Sequence, residues 1–277
     1  MLYLVGTPIG NLGDITLRAL ETLRSVDFVC AEDTRVTQKL LTHFDIKKPI
    51  ISYFEHNKLE KGPVIIERLK NGENAALVSD AGMPGISDPG EHLVKLCIEN
   101  GIDYTVVPGP VAFVTAAVLS GLSTESLLFE GFLPDNKKKA AEKIERIKKA
   151  TQTTLIYEAP HNIIATLKIL EKEIPERKIV LARELTKIYE ETIRGTAAEL
   201  LEYYNDPENR PRGEFVIAIE GAENLPEEPE KTSDEEIVSK INELIASGMK
   251  RNDAVKTVAK ENNISRNDAY SIYEAAK

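Results

Sequence analysis

The chain has 277 residues, enough for one large domain or two to three small ones. With 42% hydrophobic and 29% charged residues it builds a packed core and is not a disordered polymer. A net charge of −10, two cysteines and no tryptophan argue against a nucleic-acid partner, a disulfide framework or four-ligand zinc site, and an aromatic base-stacking platform.

In chain order, short apolar runs alternate with amphipathic stretches. The pattern predicts strands over 2–5, 28–31, 49–52, 75–79 and 104–107. Helices are predicted over 16–25, 34–44 and 61–71, from the 80–90 loop to Asn100, and after Pro108-Gly109-Pro110. Continuous apolar strands between helices are the pattern of a sheet covered on both faces. This first α/β block spans 1–122.

A second α/β block, 123–224, has predicted strands over 127–131, 153–157, 179–184, 190–194 and 214–220. Its helices are predicted over 137–149 and after Pro160. The strands around 185–189 read as a hairpin, so this sheet is predicted to be mixed. The 137–149 helix carries seven basic and two acidic residues, the best local candidate for phosphate contact in an acidic chain.

Residues 225–232 lie in an acidic, proline-containing run and read as a linker. The last block, 233–277, is predicted to be all-helical and resembles a helix-turn-helix module. Ile237, Ile241, Leu244 and Ile245 share one face, Ala254, Val255, Val258 and Ala259 line a second helix, and Ser265 is the expected cap of a third. Seven basic against eight acidic residues here disfavour DNA binding. No N-terminal signal segment is visible, and the apolar run 113–122 is too short for the ~20 residues of a membrane helix. A cytoplasmic protein without membrane contact is expected.

Four strand ends carry the chemistry. Gly6-Thr7-Pro8-Ile9-Gly10-Asn11-Leu12-Gly13 lacks the G-x-G-x-x-G spacing of a dinucleotide site; it is a tight turn or a backbone-lined ligand edge. Glu32-Asp33-Thr34-Arg35 is either a helix cap with an ion pair or a substrate-facing cluster. Ser79-Asp80-Ala81-Gly82-Met83-Pro84-Gly85-Ile86-Ser87-Asp88-Pro89-Gly90 keeps side chains small, so that a ligand meets backbone N–H and C=O groups. Val107-Pro108-Gly109-Pro110-Val111-Ala112 repeats that character. In the second block, Tyr157-Glu158-Ala159-Pro160-His161-Asn162 and Arg183-Glu184-Leu185-Thr186-Lys187 stand out.

These segments, with GFLP and RGEFVIAIEG, run in order across residues 6–221, and together they resemble the tetrapyrrole methylase superfamily in its ribosomal-RNA branch. The resemblance implies two α/β domains with a donor cleft between them, plus the small helical C-terminal module. It implies S-adenosylmethionine as methyl donor and a cytidine ribose 2′-OH in the decoding centre of 16S rRNA, within the assembled small subunit, as acceptor. It implies a homodimer; from the charge of the helical block no DNA partner is expected.

Carried over residue by residue, the donor contacts are Pro8, Ser79, Asp80, Ala81, Gly82, Met83, Val111, Ala112, Tyr157, Glu158 and Ala182. The chain departs from the family pattern at Met83, Val111 and Asn162. For the catalytic step Lys187 and Glu184 rank ahead of Asp33, with Arg35 holding a phosphate or orienting a carboxylate. The transfer itself requires no metal. The competing expectations are a precorrin-type small-molecule methylase of the same superfamily and a ligand-sensing helix-turn-helix regulator.

Overall fold

Strand β1 (Leu2–Val5) is apolar on both sides, and this decides its position. In the computed structural model, which describes residues 1–223, 233–262 and 264–276, β1 lies inside a five-stranded parallel sheet. The predicted linker 225–232 lies outside the described residues. The companions of β1 are β2 (Phe28–Ala31), β3 (Ile50–Ser52), β4 (Ala75–Val78) and β5 (Tyr104–Val107), in the order β3-β2-β4-β1-β5.

The period-two alternation divides the core. Val5, Val29, Ala31, Ala76 and Val78 meet α1 (Leu17–Ser25) and α2 (Thr34–His43). Leu2, Leu4, Phe28, Cys30 and Leu77 meet α3 (Lys58–Lys70) and α4 (Gly90–Glu99) on the other face. Each fully buried Leu, Ile or Phe contributes roughly 1.5–3 kcal/mol. Because the helices after β1 and β4 leave on opposite faces, the chain diverges between these adjacent strands. That divergence opens a crevice at their carboxyl ends.

The second sheet is mixed, as its hairpin requires. It holds β6 (Leu127–Phe132), β7 (Thr153–Glu158), β8 (Ile179–Arg183), β9 (Glu191–Gly195) and β10 (Phe215–Ile219), ordered β6-β7-β10-β8-β9. Only the β6–β7 pair is parallel. One face packs on α6 (Lys137–Lys149), α7 (Ile163–Glu173) and α8 (Ala197–Tyr203), around Ile147, Ile156, Leu167, Leu181, Leu200 and Ile217. The opposite face packs on α5 (Ala112–Ser120), which has no charged residue.

Although α5 follows β5 directly, its Ala116 and Ala117 bury against Leu155, Val180, Ala182 and Val216 of the second sheet. Ile9, from the loop after β1, joins the same cluster. The two sheets are thus tied together within the unit Met1–Glu223.

The unit 224–277 has its own core. It comprises α9 (Asp234–Ala246), α10 (Arg251–Glu261) and α11 (Arg266–Ala275) around Ile237, Ile241, Val255, Val258 and Ala269. Ser233 and Glu236 form a reciprocal capping box, and Ser265 accepts from the Asp268 N–H. Among the described residues no helix is long and apolar enough to cross a membrane.

Candidate methyl-donor site

The carboxyl ends of the first sheet meet the second sheet around a cavity of about 380 Å³. Two glycine-rich turns form its floor. Thr7 and Gly82 join the loops after β1 and β4 through a reciprocal pair of backbone hydrogen bonds, Thr7 N–H to Gly82 O at 2.9 Å and Gly82 N–H to Thr7 O at 3.1 Å. Gly82 sits at φ +80°, which its missing Cβ permits. Gly6 and Gly109 approach so closely that a Cβ on either would lie within 3 Å of the other's backbone. No larger residue fits this crossing of the β1 and β5 loops.

Nine of the eleven expected donor contacts line the cavity: Ser79 through Met83, Val111, Ala112, Tyr157 and Glu158. Pro8 does not line it; its neighbour Ile9 does. Ala182 is buried beneath the cavity wall, opposite Val216 in the β8–β10 pairing, and Val216 takes the lining position.

The wall from the second sheet is aromatic. Phe113 stacks on Phe129 with ring centroids 4.2 Å apart, and Tyr157 lies edge-on to Phe129 and tilted to Phe132. Burial raises the Tyr157 phenol above its ordinary pKa, against the Phe113 N–H that favours the phenolate. Glu158 is buried, yet both its oxygens are occupied, one accepting from the Ala159 N–H at 2.9 Å and the other from the Thr166 hydroxyl at 2.6 Å. It therefore braces the loop that follows β7.

Opposite stand three carboxylates, Glu32, Asp80 and Asp88. Asp88 accepts from the N–H groups of Gly85 and Gly90, which hold the 85–90 turn; burial nevertheless raises its pKa. Asp80 accepts from the Asp33 N–H at 2.8 Å. Glu32 is raised above the ordinary carboxylate value by burial and by the charges of Asp80 and Asp88. It lines the cavity, where reading the sequence had put its neighbour Asp33 forward.

The expected catalytic residues divide into two places, neither of them among the cavity-lining residues. Asp33 caps α2, accepting from the Arg35 N–H, and grips the Arg35 guanidinium at 2.6 and 3.0 Å. These hydrogen bonds hold the Asp33 carboxyl down to about 2. Lys187 and Glu184 are at the rim. The Lys187 ammonium donates to Glu184 at 2.8 Å and to Glu214, a lining residue, at 3.1 Å. Burial works against charge on both residues, but the hydrogen bonds prevail: Glu184 is lowered and Lys187 raised. Lys187 is thus held as a cation.

A helix-covered parallel sheet whose carboxyl-end crevice is closed by a mixed sheet and its apolar helix defines a two-sheet α/β protein with a ligand cavity between the sheets. The sequence profile described as Tetrapyrrole (Corrin/Porphyrin) Methylases matches residues 1–201, and the chain belongs to that family.

Its similar relatives include "Ribosomal RNA small subunit methyltransferase I" of Synechocystis sp., 43% identical over 98% of this chain and 96% of that protein. The protein of the same name from Bacillus subtilis is 43% identical over 99% and 94%. Among solved structures, uroporphyrin-III-C-methyltransferase from Thermus thermophilus has TM-score 0.56 at 18% identity, over 78% of this chain and 93% of that one. Diphthine synthase has TM-score 0.62 at 15% identity, over 79% and 89%. These two share the fold.

Proposed function

We propose that the cavity binds S-adenosylmethionine and that the chain methylates a cytidine ribose 2′-OH in the decoding centre of 16S rRNA, in the assembled small subunit. The observation that carries this reading is the convergence of Ser79–Met83, Val111, Ala112, Tyr157 and Glu158 on one cavity, in a chain whose relatives are named for small-subunit rRNA methylation.

The residues present suit that donor. Glu32, Asp80 and Asp88 complement a positive sulfonium and ammonium. Val111, at the start of α5, offers no side-chain cap, and apart from the Phe113 N–H that meets Tyr157 the first turn presents its N–H groups to a carboxylate. Phe132 and Tyr157, tilted to one another, provide aromatic faces for a purine.

The bound donor supplies an activated methyl group. What remains for the chain is orientation and one proton. Glu32, a cavity-lining carboxylate with a raised pKa, would take the 2′-OH proton while the methyl group passes from the sulfonium to the ribose oxygen, the C–S bond breaking to leave a neutral thioether. Lys187, fixed between Glu184 and Glu214, keeps one of its three ammonium N–H donors to orient the incoming ribose-phosphate at the rim. Asp33 holds Arg35, whose exposed guanidinium meets phosphate further out.

Local charge supports an RNA substrate in an acidic chain. On α6, Lys143 and Arg146 pair with Glu130, and Lys148 pairs with Glu173. Lys137, Lys138 and Lys139 have no ion pair among the described residues and follow the strand that brings Phe132 to the cavity. The active form proposed is a cytoplasmic homodimer. Val114 and Val118, one turn apart on α5 and 45% and 72% exposed, are the apolar surface a second copy would cover.

Two measurements test the reading: calorimetric titration of S-adenosylmethionine into the purified chain, and a map of 2′-O-methylation on 16S rRNA from cells lacking it. Heat of binding and loss of one cytidine modification are expected. No heat, or an unchanged map, would refute it.

A further inference from the structure

The β8–β9 hairpin ends in two exposed apolar side chains, Ile188 at 94% and Tyr189 at 75%. A loose hairpin tip would bury such groups or carry polar ones. This tip is instead fastened on every side. Glu184 and Thr186 hold positive φ values of 51° and 65°, a conformation that non-glycine residues rarely adopt.

The turn is closed by Lys187 N–H to Glu184 O and Glu190 N–H to Lys187 O, at 3.0 and 3.1 Å. The Thr186 N–H donates to the Glu190 carboxylate at 2.5 Å. From below, the Lys187 stem presses on Gly10, where a Cβ would come 2.5 Å from Lys187 Cγ. The bracing points Ile188 and Tyr189 into solvent beside Leu185 and Glu214, which line the cavity.

A second loop rises at the same edge. Residues 204–214 run into β10 and are bonded to the hairpin: Glu184 N–H to Glu214 O at 3.0 Å, and Glu214 N–H to Glu184 Oε1 at 3.0 Å. Gly213, at φ +76°, lies against the Glu184 carboxylate. This loop exposes Arg210 and Arg212, neither of which has an ion pair among the described residues. An exposed ring, and two guanidiniums without an ion pair among the described residues, therefore stand on two mutually bonded loops whose Leu185 and Glu214 line the donor cavity.

We infer that these two loops form a lip that receives the RNA strand next to the methylated nucleotide, with Tyr189 stacking on a flanking base and Arg210 and Arg212 meeting its phosphates. The inference rests on the rRNA reading above and adds the substrate-positioning surface. The chemistry is that of single-stranded RNA: an unpaired base offers a π-face to one ring, and its backbone offers phosphates to planar cations. A single ring suffices here, without the multi-ring platform that the composition excludes. Ile188 fills the side of the stacked base.

The test measures subunit methylation with Tyr189→Ala, Tyr189→Phe and the pair Arg210→Ala/Arg212→Ala, with S-adenosylmethionine affinity and oligomeric state recorded for each. All sites are exposed, so the variants fold. Tyr189→Ala is expected to raise KM for small subunits by roughly 5- to 150-fold with kcat and donor Kd unchanged, and Tyr189→Phe to restore it. The arginine pair is expected to flatten the salt dependence of subunit binding by about 0.7 log units per contact.

If the wild type methylates subunits and the variants match it in KM and salt slope, the lip is refuted and the rRNA reading stands. If Tyr189→Ala instead changes the oligomeric state, the tip is a contact between copies and the lip is likewise refuted. A wild type that transfers no methyl group to subunits removes both.

Discussion

Thr7 and Gly82 exchange a reciprocal pair of backbone hydrogen bonds, although they belong to loops after strands that are far apart in sequence. This short bridge fixes the floor of the cavity. It forms because β1 and β4 are adjacent in the sheet and because Gly82 takes φ +80°.

Gly82→Ala is therefore expected to destabilise the chain by about 1–2 kcal/mol, through the left-handed backbone alone. A Cβ there would also stand 3.3 Å from the Ile9 side chain. Denaturant unfolding measures the first effect. Calorimetry measures the second, an expected loss of roughly tenfold or more in S-adenosylmethionine affinity.

Glu32→Gln is expected to lower kcat by about 10²–10⁴. It is also expected to stabilise the fold. The folded-state pKa of Glu32 is raised, so between the unfolded and folded values the native state binds the extra proton, and stability falls as pH rises through that window. A neutral amide removes this loss. A thermal melt at neutral pH should show the variant at or above wild type, and the acid limb of the wild-type kcat should lie above the ~4.3 of an ordinary glutamate. Asp33→Asn, by contrast, keeps the Oδ1 that accepts from the Arg35 N–H and weakens only the exposed ion pair with the Arg35 side chain, so stability should change little and kcat far less than in Glu32→Gln.

Lys187→Met leaves Glu184 and Glu214 without their shared cation. The expected loss is about 1 kcal/mol at neutral pH, since the cluster is partly exposed. The signs at the two ends of the pH range differ. The Glu184 contribution is present above its unfolded value and is lost as pH falls through the lowered folded value. The Lys187 contribution is present below its unfolded value and is lost as pH rises through the raised one. Urea unfolding of wild type and variant at acid, neutral and alkaline pH should show the difference narrow at both ends.

Lys137→Ala/Lys138→Ala/Lys139→Ala is expected to weaken small-subunit binding and reduce its salt slope, with donor affinity unchanged. The Lys143, Arg146 and Lys148 cations are already committed to carboxylates, so, Lys149 apart, the cations of α6 without an ion pair among the described residues stand at this end. A filter-binding titration over a range of salt concentrations checks it; an unchanged slope excludes the helix from the interface.

Much of the fold was legible in the sequence because its strands are continuous apolar runs and its loops announce themselves with glycine and proline. The α6 bounds, the mixed sheet and the Ser265 cap follow from local pattern. What periodicity does not carry is which sheet a helix covers: α5 is apolar all round, and only the three-dimensional structure assigns it to the second sheet. The seven-residue α8 was not anticipated; its Ala197 and Leu200 are the only fully apolar contacts it buries, too few for a periodic signal.

At the site, the strand alternation matters at the level of one residue. Glu32 and Asp33 are adjacent at the end of β2, yet one lines the cavity and the other caps α2. A sequence motif does not say which of two neighbouring carboxylates turns inward. Nor does it bring Glu214 to Lys187 across 27 positions; that contact exists because β10 lies beside β8.

The most direct test is transfer of a labelled methyl group from S-adenosylmethionine by the purified chain, offered isolated small subunits, naked 16S rRNA and a precorrin in parallel. A methylated 2′-oxygen cannot assist cleavage of its own phosphodiester, so the label is predicted to appear in an alkali-resistant dinucleotide of 16S rRNA, with subunits the preferred acceptor. Label on a base, on the precorrin, or on no acceptor would contradict the account.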